Sequence, residues 1–403
     1  MSVLSGKKVL LGVTAGIAAY KSAFLVRLLI KKGAEVKVVM TPSAKEFVTP
    51  LTLSTLSKNE VYASFTNEDD DNAQWNNHVE LGLWADLFII APATANTLSK
   101  MSQGTSDNLL IATYLSAKCP VYVAPAMDLD MYKHPSTAET FKKLESFDNI
   151  IIPAAHGELA SGLVGQGRMA EPEAIVDFLE KDISSKLPLR GKHILITAGP
   201  TYEAIDPVRF IGNHSSGKMG FAIAMAAAEM GAAVSLISGP TSLRMDHSAV
   251  ELVPVTSAAE MYEAVHDRFE KTDVAILSAA VADYRPAKVA DQKIKKKEGA
   301  LTIQLEKTKD ILASLGETKE KQFLVGFALE TQNELEYAKT KLEKKNLDLI
   351  VLNSLNDPGA GFGVDTNKVT FITRDNKVIP FEVKTKKEVA NDILEHIIQS
   401  LNA

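Results

Sequence analysis

The stretch GKKVLLGVTAG, Gly6–Gly16, decides the reading of the first half of the chain. An apolar run without polar alternation ends in small residues, and a helical pattern follows over Ala18–Lys32. Such a run suits a strand covered on both faces, and the glycine turn into a helix is the opening of a βα unit. The same form returns at GKHILITAGPT, Gly191–Thr201. Between them lies LEKDISSKLPLRGK, Leu179–Lys192, a polar stretch with Pro188 that reads as a linker. We therefore expect two domains, 1–188 and 189–403, which suits a chain of 403 residues.

Working outward, the first half continues with the strand-like runs EVKVVMT, DLFIIAPA, VYVAPA and NIIIP. Helical patterns near Thr94–Gly104, Asp107–Ala117 and Glu171–Ser184 alternate with them. This predicts a doubly wound α/β sheet of the flavodoxin-like kind, with ligands at the carboxyl ends of its strands. The second half predicts a Rossmann-like α/β sheet from HILITAG, AVSLISG, ELVPV, VAILSAA, QFLVGFA and DLIVLN. A late β-hairpin, KVTFIT and KVIPFEV joined at Arg374–Lys377, and a closing helix over Lys384–Leu401 complete it.

Hydrophobic residues make up 46% of the chain, enough for two large cores, and the net charge is −6. That balance argues against a general nucleic-acid or acidic-membrane binder. Cys119 is the single cysteine, so no intrachain disulfide can form and a reducing compartment is expected. The N-terminal stretch carries charges and glycines, and neither a membrane span nor a cleavable signal is expected there. A cytoplasmic protein is the simplest reading.

Two glycine-rich loops are candidates for phosphate binding. Gly12–Lys21, GVTAGIAAYK, joins a strand to a helix, and helix-start N–H groups with a hydroxyl such as that of Thr14 can hold an anion. The loop is equally readable as a turn needed only for geometry, since its spacing is not G-x-G-x-x-G. Gly212–Gly220, GNHSSGKMG, nearly matches G-x-x-x-x-G-K-[ST], but Met219 stands where a hydroxyl would hold magnesium. No clear strand runs into Gly212 either. A Walker-type site is not expected, while a loop offering N–H groups and polar side chains to a phosphate is.

APATANT (Ala91–Thr97), KMSQGTSDNLL (Lys100–Leu110) and PAMDLDMY (Pro125–Tyr132) resemble the segments of flavin-dependent cysteine decarboxylases. AGPTYEAIDPVRFIGNHSSGKMG, SAAVADYRP and KIKK resemble those of phosphopantothenate–cysteine ligases. Their order and spacing, over nearly the whole chain, are similar to the family of bifunctional bacterial coenzyme A biosynthesis proteins. That resemblance implies two reactions. In the C-terminal half, 4′-phosphopantothenate is activated by CTP, with Mg2+, as an acyl-cytidylate, and cysteine then displaces CMP to form an amide. In the N-terminal half, FMN-dependent oxidation of the cysteinyl thiol allows loss of carbon dioxide, and reduction then yields 4′-phosphopantetheine. It also implies trimeric decarboxylase units and dimeric ligase units, together a dodecamer.

The resemblance also assigns residues. His78, in WNNHVELGLWADL, matches the catalytic base, and an imidazole titrates near neutral pH; by itself it reads as a capping or satisfied histidine. Thr94, Ala95 and Asn96 match flavin contacts, with Gly12, Thr14 and Gly16 near the phosphate and Thr41 and Ser43 after the second strand. Thr94 equally reads as a helix N-cap. Asn213 matches the asparagine that governs the acyl-cytidylate, against an ordinary turn residue of a glycine-rich loop. Lys293 matches a CTP-contacting lysine, against a solvated basic run. Ala279, Asp283, Lys309, Asp310, Ile311, Leu312 and Phe327 match nucleotide contacts. Lys341 and Lys345 match triphosphate contacts, and their spacing puts them on one helix face. No residue spacing suggests a protein-built metal cage.

Two positions depart from the family pattern. Asp128 stands in place of an asparagine, and Ser161 in HGELASGLVGQGRM in place of a proton-donating cysteine. An ionised Asp128 would repel a substrate carboxylate, so either that like charge keeps it protonated as a donor or a nearby cation pairs with it. Repulsion relieved by loss of carbon dioxide is a further option. A serine is a far weaker acid than a thiol, so water, His156 or Glu158 could serve as the donor. Asp130 reads as a solvated or capping residue. The departures motivate an alternative, a ligase whose flavin half is structural or regulatory. A nicotinamide dehydrogenase is a third reading, weakened by the missing G-x-G-x-x-G.

Overall fold

The computed structural model describes residues 2–66, 75–296, 300–330, 333–354 and 364–402. The chain divides into two compact units, Met1–Ser185 and Lys186–Ala403. The break falls between Ser185 and Lys186, within the stretch read as a linker, and the 187–192 segment packs with the second unit. The Leu189 N–H donates to Met230 O at 2.9 Å there, and Leu187 packs on Gly231.

The first unit is built on strands Lys8–Val13, Glu35–Met40, Val61–Tyr62, Leu87–Ala93, Val121–Pro125 and Ile150–Ile151. In chain order they lie 3-2-1-4-5-6, and every pairing is parallel. The apolar runs of the sequence are explained by burial of both faces. Val9, Leu11 and Val13 enter one core with helices Lys21–Lys31 and Pro172–Ser185. Leu10, Phe88 and Ile90 enter the other with helices Ala95–Gln103 and Leu109–Ser116. Alternate side chains of one strand thus serve opposite cores, each worth about 1.5–3 kcal/mol when fully buried.

Short helices at Pro50–Ser57, His78–Trp84, Leu129–Lys133 and Pro135–Glu145 add to the sequence expectation. The segment HGELASGLVGQGRM folds into an antiparallel hairpin, Ala155–Glu158 against Val164–Arg168, with Ser161 near its tip.

The second unit repeats the order 3-2-1-4-5-6 with strands His193–Ala198, Ala233–Ser238, Val250–Pro254, Val274–Leu277, Phe323–Glu330 and Leu349–Ser354. The hairpin Val369–Thr373 and Val378–Pro380 then joins antiparallel to the last of these. Asn376, at φ +61°, makes its turn. Helices Lys218–Glu229 and Lys386–Leu401 cover one face of the sheet; Ala258–Phe269, Ile311–Thr318 and Glu334–Lys344 cover the other. The closing helix begins with a capping box, Thr385 with Glu388.

A strand, Phe210–Gly212, does run into Gly212. Among the described residues it pairs only with Tyr202–Ala204, in a two-stranded antiparallel ribbon, so it does not supply the sheet-to-helix crossover of a Walker-type loop.

Candidate functional sites

In each unit the parallel strands bring their carboxyl ends to one edge, and many of the predicted residues lie just after them. In the first unit, Thr41 follows the strand ending at Met40, and Thr94 follows the one ending at Ala93. Thr94 is the N-cap of Ala95–Gln103, with no side-chain capping bond, so Ala95 opens the helix and Asn96 is exposed in its first turn. Gly16 caps the 3-10 turn Ile17–Tyr20, and Ser43 is exposed in a second such turn, Pro42–Glu46.

Two phosphate-loop assignments change. Thr14 does not offer a free hydroxyl: it is buried, donates to Pro92 O at 2.7 Å and accepts the Thr94 N–H at 3.1 Å. It stitches two strand ends together and so positions Thr94. Gly12 lies within its strand, where an added Cβ would meet Phe88, Ile90 and Leu110 side chains at 3.1–3.2 Å. It is a packing residue rather than a loop contact.

Two buried polar atoms of this unit have no hydrogen-bond partner among the described residues, Thr41 Oγ1 and His78 Nδ1. Burying such an atom unpaired costs about 1–3 kcal/mol, so each calls for a polar partner such as a water or a ligand. His78 opens the helix His78–Trp84, whose N-cap Asn77 accepts from the Val79 and Glu80 N–H groups. The capping work is thus done by Asn77, which leaves the imidazole free of that role. Its ring stands edge-on to Phe65 at 6.1 Å.

Asp128 is the N-cap of Leu129–Lys133, and its carboxylate accepts the Leu129 N–H at 2.6 Å. An asparagine oxygen could accept that bond equally well. The hairpin of residues 155–168 closes on this loop. The Met127 N–H donates to Gly167 O at 3.0 Å, and a Cβ on Gly167 would stand 2.5 Å from Met127 O. Only glycine allows the two backbones this approach. The structure thereby ties the base of the Ser161 hairpin to the Asp128 loop, while Ser161 itself is exposed. Asp130 is exposed, and Cys119 is half-buried with its thiol pushed up to about 11, first by burial.

In the second unit the convergence is close. A cavity of about 390 Å³ is lined by Ala279, Asp283, Phe327, Lys341 and Lys345, together with the consecutive run Lys309–Leu312. A second cavity of about 560 Å³ holds Asn213 and the turn Ser215–Gly220. The two share Ala279, Val281, Asp283, Phe327 and Lys341, so they lie side by side and together make up the cleft of this unit.

Strand-end hydroxyls hold its floor. The Ala279 N–H donates to Thr197 Oγ1 at 3.2 Å, the Ala282 N–H to Thr201 Oγ1 at 2.9 Å, and Thr308 Oγ1 to Ala282 O at 2.7 Å. Asn213 Nδ2 donates to Val281 O at 2.9 Å. Gly220 lets the helix Lys218–Glu229 press on the sheet, since a Cβ there would meet Ala198 Cβ at 2.6 Å and Ser278 Oγ at 2.8 Å.

The cleft is electropositive. Lys341 Nζ donates to Phe327 O at 2.8 Å, and Lys345 pairs with Asp310 at 2.7 Å. Burial pushes the Asp310 carboxyl up, but Lys345, the Ala313 N–H and Lys341 outweigh it and hold it below the usual carboxylate range. Lys309 lies 4.5 Å over the Tyr262 ring.

Lys386, missed in the sequence, also lines the larger cavity; it is buried and donates to Val364 O. Burial, then the neighbouring Lys218, keeps its ammonium below the ordinary lysine range. The Thr385–Glu388 cap was the available signal for a helix start there. Asn353 and Asn367, likewise missed, are joined at 3.3 Å beside it. Lys293 does not line either cavity and is exposed in the 288–296 segment.

Among the described residues, no group of three or more His, Cys, Asp or Glu side chains is disposed to hold a metal ion, and no helix is long and apolar enough to cross a membrane.

Residues 2–184 match the family model Flavoprotein, and residues 189–401 match the DNA/pantothenate metabolism flavoprotein C-terminal domain. The chain is 48% identical over 397 residues to the coenzyme A biosynthesis bifunctional protein CoaBC of Bacillus subtilis (strain 168), covering 98% of this chain and 97% of the relative. It is 54% identical over 356 residues to a cysteine/cysteine sulfinic acid decarboxylase of an unknown prokaryotic organism, covering 87% and 99%. A crystal structure of the C-terminal domain of a CoaBC protein is 48% identical, covering 54% of this chain and 99% of that one, with a TM-score of 0.47.

Proposed function

The chain belongs to the family of bifunctional coenzyme A biosynthesis proteins, and from that premise we propose how its own residues divide the two activities, ligation and decarboxylation, between the two units. The observation that carries the reading is the single cleft of the second unit, where residues scattered over Asn213–Lys345 meet.

We assign the smaller cavity to CTP and the larger to 4′-phosphopantothenate, so that the shared residues face the carboxylate and the α-phosphate that must react. Phe327 packs on the nucleotide, and Lys341 and Lys345 neutralise phosphate charge. Asn213, held by Val281 O, orients the acyl-cytidylate. Lys293 supports charge developing at the α-phosphate from the neighbouring segment. Mg2+ is proposed to arrive on the nucleotide rather than in a protein-built cage.

In the first unit the residues fit FMN. Thr41 Oγ1 and His78 Nδ1 are the buried polar atoms that a flavin and its substrate would satisfy, and the helix start at Ala95 offers free N–H groups. Bound there, FMN supplies reversible two-electron chemistry at the cysteinyl sulfur. His78 accepts and returns the proton of that step. Asp128 sits in the loop closed by the hairpin of residues 155–168, and Ser161 or a water near the hairpin tip delivers the last proton. We place the enzyme in the cytoplasm and propose a homo-oligomer of trimeric flavin units and dimeric ligase units, which size-exclusion chromatography with light scattering would test against a monomer.

The assay supplies 4′-phosphopantothenate, cysteine and CTP and follows pyrophosphate and carbon dioxide. Release of both supports the reading; pyrophosphate alone leaves the ligase with a structural flavin unit. A second reading is favoured by the 54% identical relative, namely that the flavin unit acts on free cysteine or cysteine sulfinic acid. Carbon dioxide from those substrates but not from 4′-phosphopantothenoylcysteine would select it.

Asp128→Asn is expected to keep decarboxylation within about threefold of wild type, since the amide oxygen still accepts the Leu129 N–H. A folded, flavin-loaded Asp128→Asn protein without activity would refute this.

A further inference from the structure

The Asp206 side chain is 0% exposed to solvent. Its carboxylate accepts the Val208 and Arg209 N–H groups, each at 2.9 Å, and takes both Arg209 Nε at 3.0 Å and Nη2 at 2.5 Å. Those contacts close a local turn. One more leaves it: the Ile294 N–H donates to Asp206 Oδ2 at 3.0 Å. Arg209 Nη2 in turn donates to Ile294 O at 2.9 Å. Both backbone groups of a single distant residue are therefore gripped by one ion pair, and the Ala290 N–H donates to Ile205 O at 3.0 Å beside it.

Ile294 is the neighbour of Lys293. The side chains of Lys293, Lys295 and Lys296 are exposed, so the segment has little packing of its own to fix it. A loop lysine that must meet a phosphate needs its backbone held, because small misplacement of a charged group costs orders of magnitude in rate. The Asp206 carboxyl is held well below the usual carboxylate range, first by Arg209, then by the Ile294, Val208 and Arg209 N–H groups against burial. It is a fixed anion, not a proton carrier.

We infer that Asp206 is a positioning residue for ligation, clamping Ile294 through the Asp206–Arg209 pair so that Lys293 is presented to the nucleotide. This rests on the reading of Lys293 given above. Asp206 itself touches neither cavity.

The test is a double-mutant cycle on the full flavin-loaded chain, comparing wild type, Asp206→Asn, Lys293→Ala and the double variant by pyrophosphate release with saturating CTP and 4′-phosphopantothenate. Asp206→Asn is expected to lower kcat about ten- to hundredfold, with KM for CTP changed by less than about threefold. In the Lys293→Ala background it should add less than about twofold. Equal losses in both backgrounds overturn the inference, because Asp206 then acts on the fold and not through Lys293. A Lys293→Ala protein with wild-type kcat overturns the Lys293 reading itself, and the inference with it.

Trypsin provides a readout independent of activity: cleavage at Lys293–Lys296 should quicken about tenfold in Asp206→Asn, as expected when a hydrogen-bonded loop is released. An unchanged cleavage rate also overturns the inference. If Asp206→Asn does not fold, Asp206→Glu, which keeps the charge at the wrong reach, replaces it in the cycle.

Discussion

His78→Asn is expected to lose about 10²–10⁴-fold in carbon dioxide release from 4′-phosphopantothenoylcysteine, with pyrophosphate release by the same chain unchanged. The expectation comes from geometry. Asn77 already satisfies the exposed N–H groups at the start of the helix His78–Trp84, so His78 is not needed as a cap. Its Nδ1 is buried without a partner among the described residues, a cost that a purely structural histidine would avoid. Asparagine keeps a polar group of similar reach but titrates nowhere near neutral pH, so it isolates the proton transfer from the shape. Flavin absorbance should persist. A variant that retains its flavin and decarboxylates within about threefold of wild type would remove His78 from the mechanism, and loss of ligation alongside would show a general folding defect.

Lys341→Met is expected to lower kcat/KM of ligation for CTP by about 10²–10³-fold and to leave decarboxylation as it was. Lys341 is the cation common to both cavities of the cleft, and its bond to Phe327 O holds it at the strand end. Methionine preserves most of the apolar stem, so the loss reports charge rather than packing. Lys345 is a weaker test, because it is paired with the exposed carboxylate of Asp310, so its removal changes that pair as well as the cleft. Wild-type kcat/KM in Lys341→Met would place the triphosphate elsewhere.

Much of the architecture was legible in the sequence for a physical reason. A strand buried on both faces needs an unbroken apolar run, as in Val9–Val13 and Ile194–Ala198, and such runs stand out from amphipathic helices. The late hairpin was legible from its polar turn at Arg374–Lys377. Short elements were not. Pro50–Ser57, Leu129–Lys133 and Phe210–Gly212 hold too few residues for a period to emerge, and their caps or cross-strand partners do the stabilising. The hairpin of residues 155–168 was hidden because glycines stand where β-branched residues usually mark strands; Gly167 is required by the close approach of Met127 O, and Gly165 by the Leu129 side chain.

The site was legible as a set of residue types, and less so as roles. Thr14 carried a hydroxyl in a glycine loop, as a phosphate ligand would, yet tertiary contact with Pro92 and Thr94 engages it. Lys386 and Asn367 lie far along the chain from the glycine loop they face, and no local pattern announces that meeting.

Two doubly wound units and their chemistry-bearing residue types are legible along the linear chain, while Asp128 and Ser161 stand out as departures only through the family resemblance. Propensity, apolar runs and turn chemistry are local properties that a linear chain displays. The tertiary structure alone decided which polar atoms are left unpaired, which strand ends share a cleft, and that Asp206 grips Ile294. Each of these depends on groups brought together across long stretches of chain, and hydrogen bonds form by proximity in space.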